Sequence, residues 1–228
     1  MSSAWAARAA AVFAKEWRCE LRTRHALATL GLFALTTMIV ASFVLGPIGN
    51  DVELAARVVP VLLWLILLFA ACAGLPRVFV HEEESRTATA LRLAAEPSAL
   101  FAGKLLHVVT LVLAIEAVVA PLAVVMFDLE LASAARFAAA LAAGGLAIAG
   151  ATTLLAAIVA QGRGASTLFA VLALPILLPA LALAVAATRA AFAGAVVLDG
   201  AAGLELLLLY DGSIIVAGFL LFPATWSP

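Results

Sequence analysis

Two carboxylates interrupt otherwise apolar runs, Glu116 in LVLAIEAVVAP and Asp211 in LLLLYDGSII. A charged acid is costly in such surroundings and normally faces a helix-bundle interior or a water-filled path. Two chemistries follow. The acids can be proton-relay or gating groups along a transport route, or structural acids kept protonated or hydrogen-bonded to a neighbouring helix. The other concentration of chemistry is RVFVHEEESRTATALRLAAEPSALFAGK, Arg77 to Lys104. It holds eight of the chain's 27 Asp, Glu, Lys and Arg side chains in 28 residues.

No enzyme signature accompanies these groups. HExxH and GxSxG are absent, and Glu82, Glu83 and Glu84 are consecutive, so a helix spreads them over about 200° instead of gathering them round a metal. The phosphate-binding pattern GxxxxGK[ST] is missing too: Leu105 follows Gly103-Lys104, and Ser98 stands where the first glycine belongs. The chain is therefore expected to have no catalytic residue, with any ATPase on a separate chain. Cys19 and Cys72 show no CxxC spacing and read as two small, unlinked residues.

The elements that must position these groups are membrane helices. Mean hydropathy is +1.20, with 66% apolar and 12% charged residues, where soluble chains carry roughly a quarter charged. A net charge of −1 gives no basic field for nucleic acid. Apolar runs at 27–47, 58–76, 105–127, 137–160, 165–187 and 204–222 are each close to the roughly 20 residues a spanning helix needs. An all-α, six-span membrane protein is predicted. In the last span Asp211 and Gly212 leave open a re-entrant segment within 188–212. Ten Lys and Arg lie on the side of both termini and three, Arg57, Arg136 and Arg189, on the other, which places the termini and the 77–104 loop in the cytoplasm. Five basic and two acidic residues precede Leu27, so the first helix is expected to stay rather than be cleaved.

WAARAAAVFAKEWRCELRTR has helical periodicity. Arg8, Lys15, Arg18, Arg22 and Arg24 share a sector of about 120°, with Trp5, Val12 and Phe13 opposite. Residues 1–26 thus read as an amphipathic interfacial helix preceding a permease domain over 27–228. Glu16 and Glu20 interrupt its apolar face and require water or a protein partner; Glu20 can reach Arg24 one turn on. In the charged loop, RTATALRLAA forms a short helix with an acidic N-terminal end and Leu91 and Ala95 on one side. Pro97 ends it, and Ser98 can cap the helix running through Lys104 into the third span. Such an element is either a solvated turn that secures topology or a docking helix that passes a push to the spans on either side. Pro121, Pro175 and Pro179 read as helix kinks. Gly144, Gly145 and Gly150 permit close helix approach, for packing within the subunit or for dimerisation.

The acidic cluster, short helix, proline and lysine entering the next span resemble the first cytoplasmic loop of ABC-2 type permeases, whose coupling helix sits on the ATPase. RCELR at Arg18 to Arg22, ARVVPVLLW at Ala56 to Trp64, RVF at Arg77 to Phe79 and GRGASTLFAVLALPILLP at Gly162 to Pro179 are together similar to the haem exporter B family, the permease subunit of the cytochrome c maturation ABC transporter. Arg86-Thr87 stands where that family commonly has Gly-Thr, and Thr89-Ala90 where it commonly has Glu-Gln.

The resemblance implies an ABC ATPase partner coupled through Glu82, Glu83, Glu84, Arg86, Thr87, Leu91 and Arg92. It also implies other cytochrome c maturation membrane proteins as partners, a permease dimer or a pairing with a second membrane subunit, and a bacterial inner-membrane location. Haem is implied as a handled substrate, with no cofactor bound by this chain and ATP on the partner. It supplies no role for Glu116. The alternatives are an exporter for another substrate, or a proton-coupled carrier using Glu116 and Asp211. Haem iron takes His, Cys, Met or Tyr. His25, His81 and His107 fall in or beside cytoplasmic segments, Cys19 is cytoplasmic, Cys72 lies in span two, and Tyr210 is the lone tyrosine. Haem is therefore expected to be held by a partner.

Overall fold

The computed structural model describes residues 2–74, 96–159, 165–192 and 198–226. These form helices α1 (Ser2–Thr23), α2 (His25–Leu45), α3 (Val52–Gly74), α4 (Pro97–Met126), α5 (Ala134–Val159), α6 (Ala165–Phe192) and α7 (Leu198–Trp226). Six of them, α2 to α7, are long and apolar enough to cross a membrane. The chain is an all-α, multi-pass membrane protein.

Local chemistry moves several helix starts ahead of the apolar runs. The Asp51 carboxylate accepts the Leu54 N–H at 3.0 Å and its carbonyl the Ala55 N–H at 2.8 Å, an N-cap that opens α3 at Val52 rather than 58. Pro97 occupies the first position of α4 with Glu96 extended before it (φ −62°, ψ 140°); proline is favoured there because its missing N–H has no helical partner anyway. Residues 97–104 therefore belong to α4 and not to the loop, and Ser98 lies inside the helix instead of capping it. The interruption considered at Asp211-Gly212 is absent, since α7 runs unbroken from Leu198. Residues 193–197 lie outside the described residues.

Helix α5 is the centre of the bundle. Its apolar window is 83% buried, against 22% for α2 and α7, and it packs on α3, α4, α6 and α7. Small residues make this possible. A Cβ on Gly144 would lie 2.0 Å from Cη2 of Trp64 in α3, one on Gly145 would lie 2.6 Å from Oε1 of Glu116 in α4, and one on Gly150 would lie 3.2 Å from Ile214 in α7. The three glycines thus receive three different helices of the same chain. The Trp64 indole is fixed from its other side, donating to Thr188 Oγ1 of α6 at 2.9 Å.

The two ends of the bundle are distinct. At one, Ile48 and Gly49 donate backbone N–H groups to the Phe127 carbonyl at 3.1 and 2.9 Å, and the Ser133 N–H donates to the Ala191 carbonyl at 3.2 Å. The α2–α3 and α4–α5 connections and the end of α6 are thereby tied together. At the other end Phe101 of α4 packs against Phe219 and Phe222 of α7, with Trp226 stacked on Phe222, while Ala9 of α1 joins Ala99 and Ala102. Residues 5–17, 96–104 and 218–226 share this second end.

Candidate functional site

The residues that lead out of the charged stretch are bound to α1. Arg8 Nη1 donates to Glu96 Oε1 at 2.8 Å and Trp5 Nε1 to Ser98 Oγ at 3.0 Å. Further along, Gly103 brings the helices together: a Cβ there would lie 2.7 Å from the Ala9 carbonyl oxygen and 2.7 Å from Val12 Cβ. Lys104 Nζ then donates to Glu16 Oε1 at 3.1 Å, and Trp17 Nε1 to Thr110 Oγ1 at 2.9 Å, with the Trp17 ring edge-on to His107 at 5.5 Å. Partners ascend together on both helices, so α1 lies lengthwise on the first half of α4. The apolar face read as membrane-facing is turned onto protein: Ala9 and Val12 are 4% and 7% exposed.

The Lys104–Glu16 pair dominates this seam. The Lys104 side chain is fully enclosed and that of Glu16 is 12% exposed; Lys15 Nζ reaches the same Oε1 at 3.0 Å. Burial pushes the Glu16 carboxyl up, but Lys104 and Lys15 outweigh it and hold the group below its ordinary range. The Arg8–Glu96 pair, about half exposed on both sides, contributes at most about 1 kcal/mol. Glu20, 8% exposed, accepts the Leu27 N–H at 2.8 Å. It therefore caps α2 across the corner at Arg24, whose backbone is left-handed (φ 52°) and whose side chain caps nothing. The partners needed by Glu16 and Glu20 are thus a lysine in α4 and a backbone amide in α2, and Glu20 makes no ion pair with Arg24 among the described residues.

The two acids singled out in sequence are both buried at 3% exposure. Neither Glu116 nor Asp211 has a hydrogen-bond donor for either carboxylate oxygen among the described residues. Glu116 sits over Gly145. A carboxylate buried without donors or a counter-charge is strongly disfavoured, so the neutral acid fits this packing. Beside Asp211, the Tyr210 hydroxyl donates to the Ile176 carbonyl at 2.8 Å, between Pro175 and Pro179 in α6. Of the other ligand-type side chains, His107 is buried beneath Trp17, His25 and Cys19 are exposed and Cys72 is half-buried. No group of three or more His, Cys, Asp or Glu is placed to hold a metal among the described residues.

The expected coupling residues Glu82, Glu83, Glu84, Arg86, Thr87, Leu91 and Arg92, together with His81, lie outside the described residues. Sequence reasoning missed the α1–α4 seam. Its only trace was the pair of acids on an apolar helix face that called for partners.

Comparison with known proteins agrees with this architecture. The family described as CcmB protein matches residues 7–225. A Bradyrhizobium diazoefficiens protein called heme exporter protein B is 32% identical over 174 residues, covering 72% of each chain. The match takes in α1, the charged stretch and all six apolar helices, and the chain belongs to the CcmB family, the haem exporter B family of transporter permeases.

Proposed function

We propose that this chain is the membrane permease subunit of an ABC exporter serving cytochrome c maturation, with haem, or haem carried by a chaperone, as the handled substrate. The observation that carries the reading is the family match across residues 7–225, supported by the name of the Bradyrhizobium relative. A separate ATPase subunit docks on the cytoplasmic charged stretch, through Glu82 to Glu84, Arg86, Thr87, Leu91 and Arg92. It shifts the permease by contacting its conformations unequally. Glu96 and Ser98, which follow that stretch, are bonded to α1, and α4 continues from them into the core against α5. A push at the loop therefore meets α1 and α4 as one body.

In this reading both termini are cytoplasmic, the membrane is the bacterial inner membrane, and the permease works as a dimer or beside a second membrane subunit. The haem is held by a partner protein. The test is purification of the full chain from its membrane with identification of co-purifying proteins. An ABC ATPase whose hydrolysis rises on reconstitution with the chain supports the proposal, and a chain that never retains or stimulates one overturns it.

The donor-free carboxyls of Glu116 and Asp211 favour one second reading, a proton-coupled carrier. It requires pH-driven transport in vesicles lacking any ATPase, abolished by Glu116→Gln or Asp211→Asn. The permease reading requires transport that depends on ATP and survives at least one of those substitutions.

A further inference from the structure

The corner between α1 and α2 carries an unneutralised cationic surface. Arg8 is paired with Glu96, Lys15 and Lys104 with Glu16, and Arg57 with Glu53. Arg18, Arg22 and Arg24 are exposed and have no acid within ion-pair distance among the described residues. The one acid between them, Glu20, is buried and caps α2, so it does not screen them from outside. Arg18 and Arg22 are one turn apart on the same helix face, and the left-handed backbone at Arg24 turns the chain there. Leu21, 59% exposed, adds an apolar contact within the same surface.

The height of this corner follows from α4. Its 30 residues extend about 45 Å, against about 30 Å of hydrocarbon, so about ten residues protrude, and the part covered by α1 is the part carrying Glu96, Lys104 and His107. Trp17, bonded to Thr110, then lies at the headgroup boundary where tryptophan is favoured. The corner comes immediately after it. Beyond the corner α2 turns Leu32 and Phe33 outward, 65% and 37% exposed, within about 12 Å of its start and so at acyl-chain depth in the same leaflet. Three guanidinium groups thus stand at headgroup level directly above a helix face made for lipid tails.

We propose that Arg18, Arg22 and Arg24 form a binding site for an anionic phospholipid, its phosphodiester held by the guanidinium forks and its chains lying along α2. The occupant is a lipid and not a soluble phosphate, because the apolar face of α2 continues the site below the charges.

The full chain is reconstituted in nanodiscs of phosphatidylcholine with a minor fraction of phosphatidylglycerol, and the lipids retained are counted by native mass spectrometry. Wild type is expected to retain phosphatidylglycerol selectively. At about fivefold per basic residue, the combined Arg18→Gln, Arg22→Gln and Arg24→Gln variant loses on the order of a hundredfold of that preference. Arg136→Gln with Arg189→Gln, at the opposite end, keeps it. No preference in wild type, or full preference in the triple variant, overturns the proposal. Should the triple variant not assemble, the wild-type preference is measured against salt: a decline supports headgroup charge recognition, and salt independence overturns it. If the variant loses a co-purifying acidic protein but keeps its lipid preference, the surface is a protein interface and the proposal fails.

Discussion

Replacing Lys104 by Met keeps side-chain length but removes the charge that holds α1 to α4. Removing one partner of a buried pair costs about 3–5 kcal/mol, because the other charge is left without compensation. Here the lower end applies, since Glu16 keeps Lys15 at 3.0 Å and is 12% exposed. About 3 kcal/mol is a factor of about a hundred in the opening of α1. Ala9, 4% exposed beneath α4, reports it: in a chain with Cys19 and Cys72 replaced by Ala, a cysteine at Ala9 should be labelled about a hundredfold faster after Lys104→Met.

Adding Glu16→Gln removes the stranded carboxylate, so the double variant should open less than the product of the single effects, by about 2 kcal/mol of coupling. Unchanged labelling in Lys104→Met, or single effects that combine additively within about 0.5 kcal/mol, would refute the role given to this pair. Acid supplies an independent limb. The Glu16 carboxyl lies below its ordinary value of 4.5 in the folded chain, so its contribution is fully present above that value and is lost only as pH falls through the lower, folded one. In a His107→Gln background, so that uncovering this histidine adds no titration of its own, opening of α1, corrected for the reagent's own pH dependence, should be flat from neutrality down to about 4.5 and rise below it.

Gly144→Ala should destabilise the fold by about 2 kcal/mol in equilibrium unfolding from mixed micelles, because the Trp64 indole is held by Thr188 and cannot retreat. Trp64→Phe should remove most of that increment, and Gly145→Ala should cost less because only the end of Glu116 must move. For topology, cysteines at Ser85 and Ala165 should be labelled only from the cytoplasmic side and one at Ser133 only from outside; external labelling at Ser85 would reverse the orientation and remove the docking surface. Leu91→Asp should weaken ATPase association by several kcal/mol, read as loss of co-purification and of hydrolysis stimulation, whereas unchanged values for both would exclude docking through that face.

What could be read from sequence was governed by range. Six apolar runs report burial against lipid, a property of each segment alone, and all six correspond to helices long enough to span. Capping moved their starts, because Asp51 and Pro97 act through local backbone chemistry that hydropathy does not register. Gly144, Gly145 and Gly150 were legible as close-packing positions, but not the three helices each would meet. The seam was illegible for a different reason: Trp5 and Ser98, like Trp17 and Thr110, are separated by 93 residues, and no local pattern links them. The helix through Lys104 was legible, but not the partner of its charge, which is enclosed beside Glu16, 88 residues away.

The family raises the expectation that the chain itself ligates haem iron, and the placement of its ligand-type side chains bears on this. Tyr210 commits its hydroxyl proton to the Ile176 carbonyl, so ligation through that oxygen would have to break a bond in the Pro175–Pro179 stretch. His107 is 3% exposed under the Trp17 ring, and iron can reach it only if α1 lifts from α4. His25 is exposed, but at the end of the bundle that carries α1, away from the end where the α2–α3 and α4–α5 connections meet. A haem passing between the two ends would exchange one of these ligands for another across the whole bundle. We therefore expect the chain to supply the conformational change while a partner holds the haem. The check is to titrate haem into the purified chain. Weak, non-saturating uptake that persists in His25→Ala, His107→Ala and Tyr210→Phe is expected, as for partition into detergent. A saturable Soret shift abolished by any one of these substitutions would show instead that the chain binds the iron, and His107 as that ligand would make lifting of α1 part of the transport step.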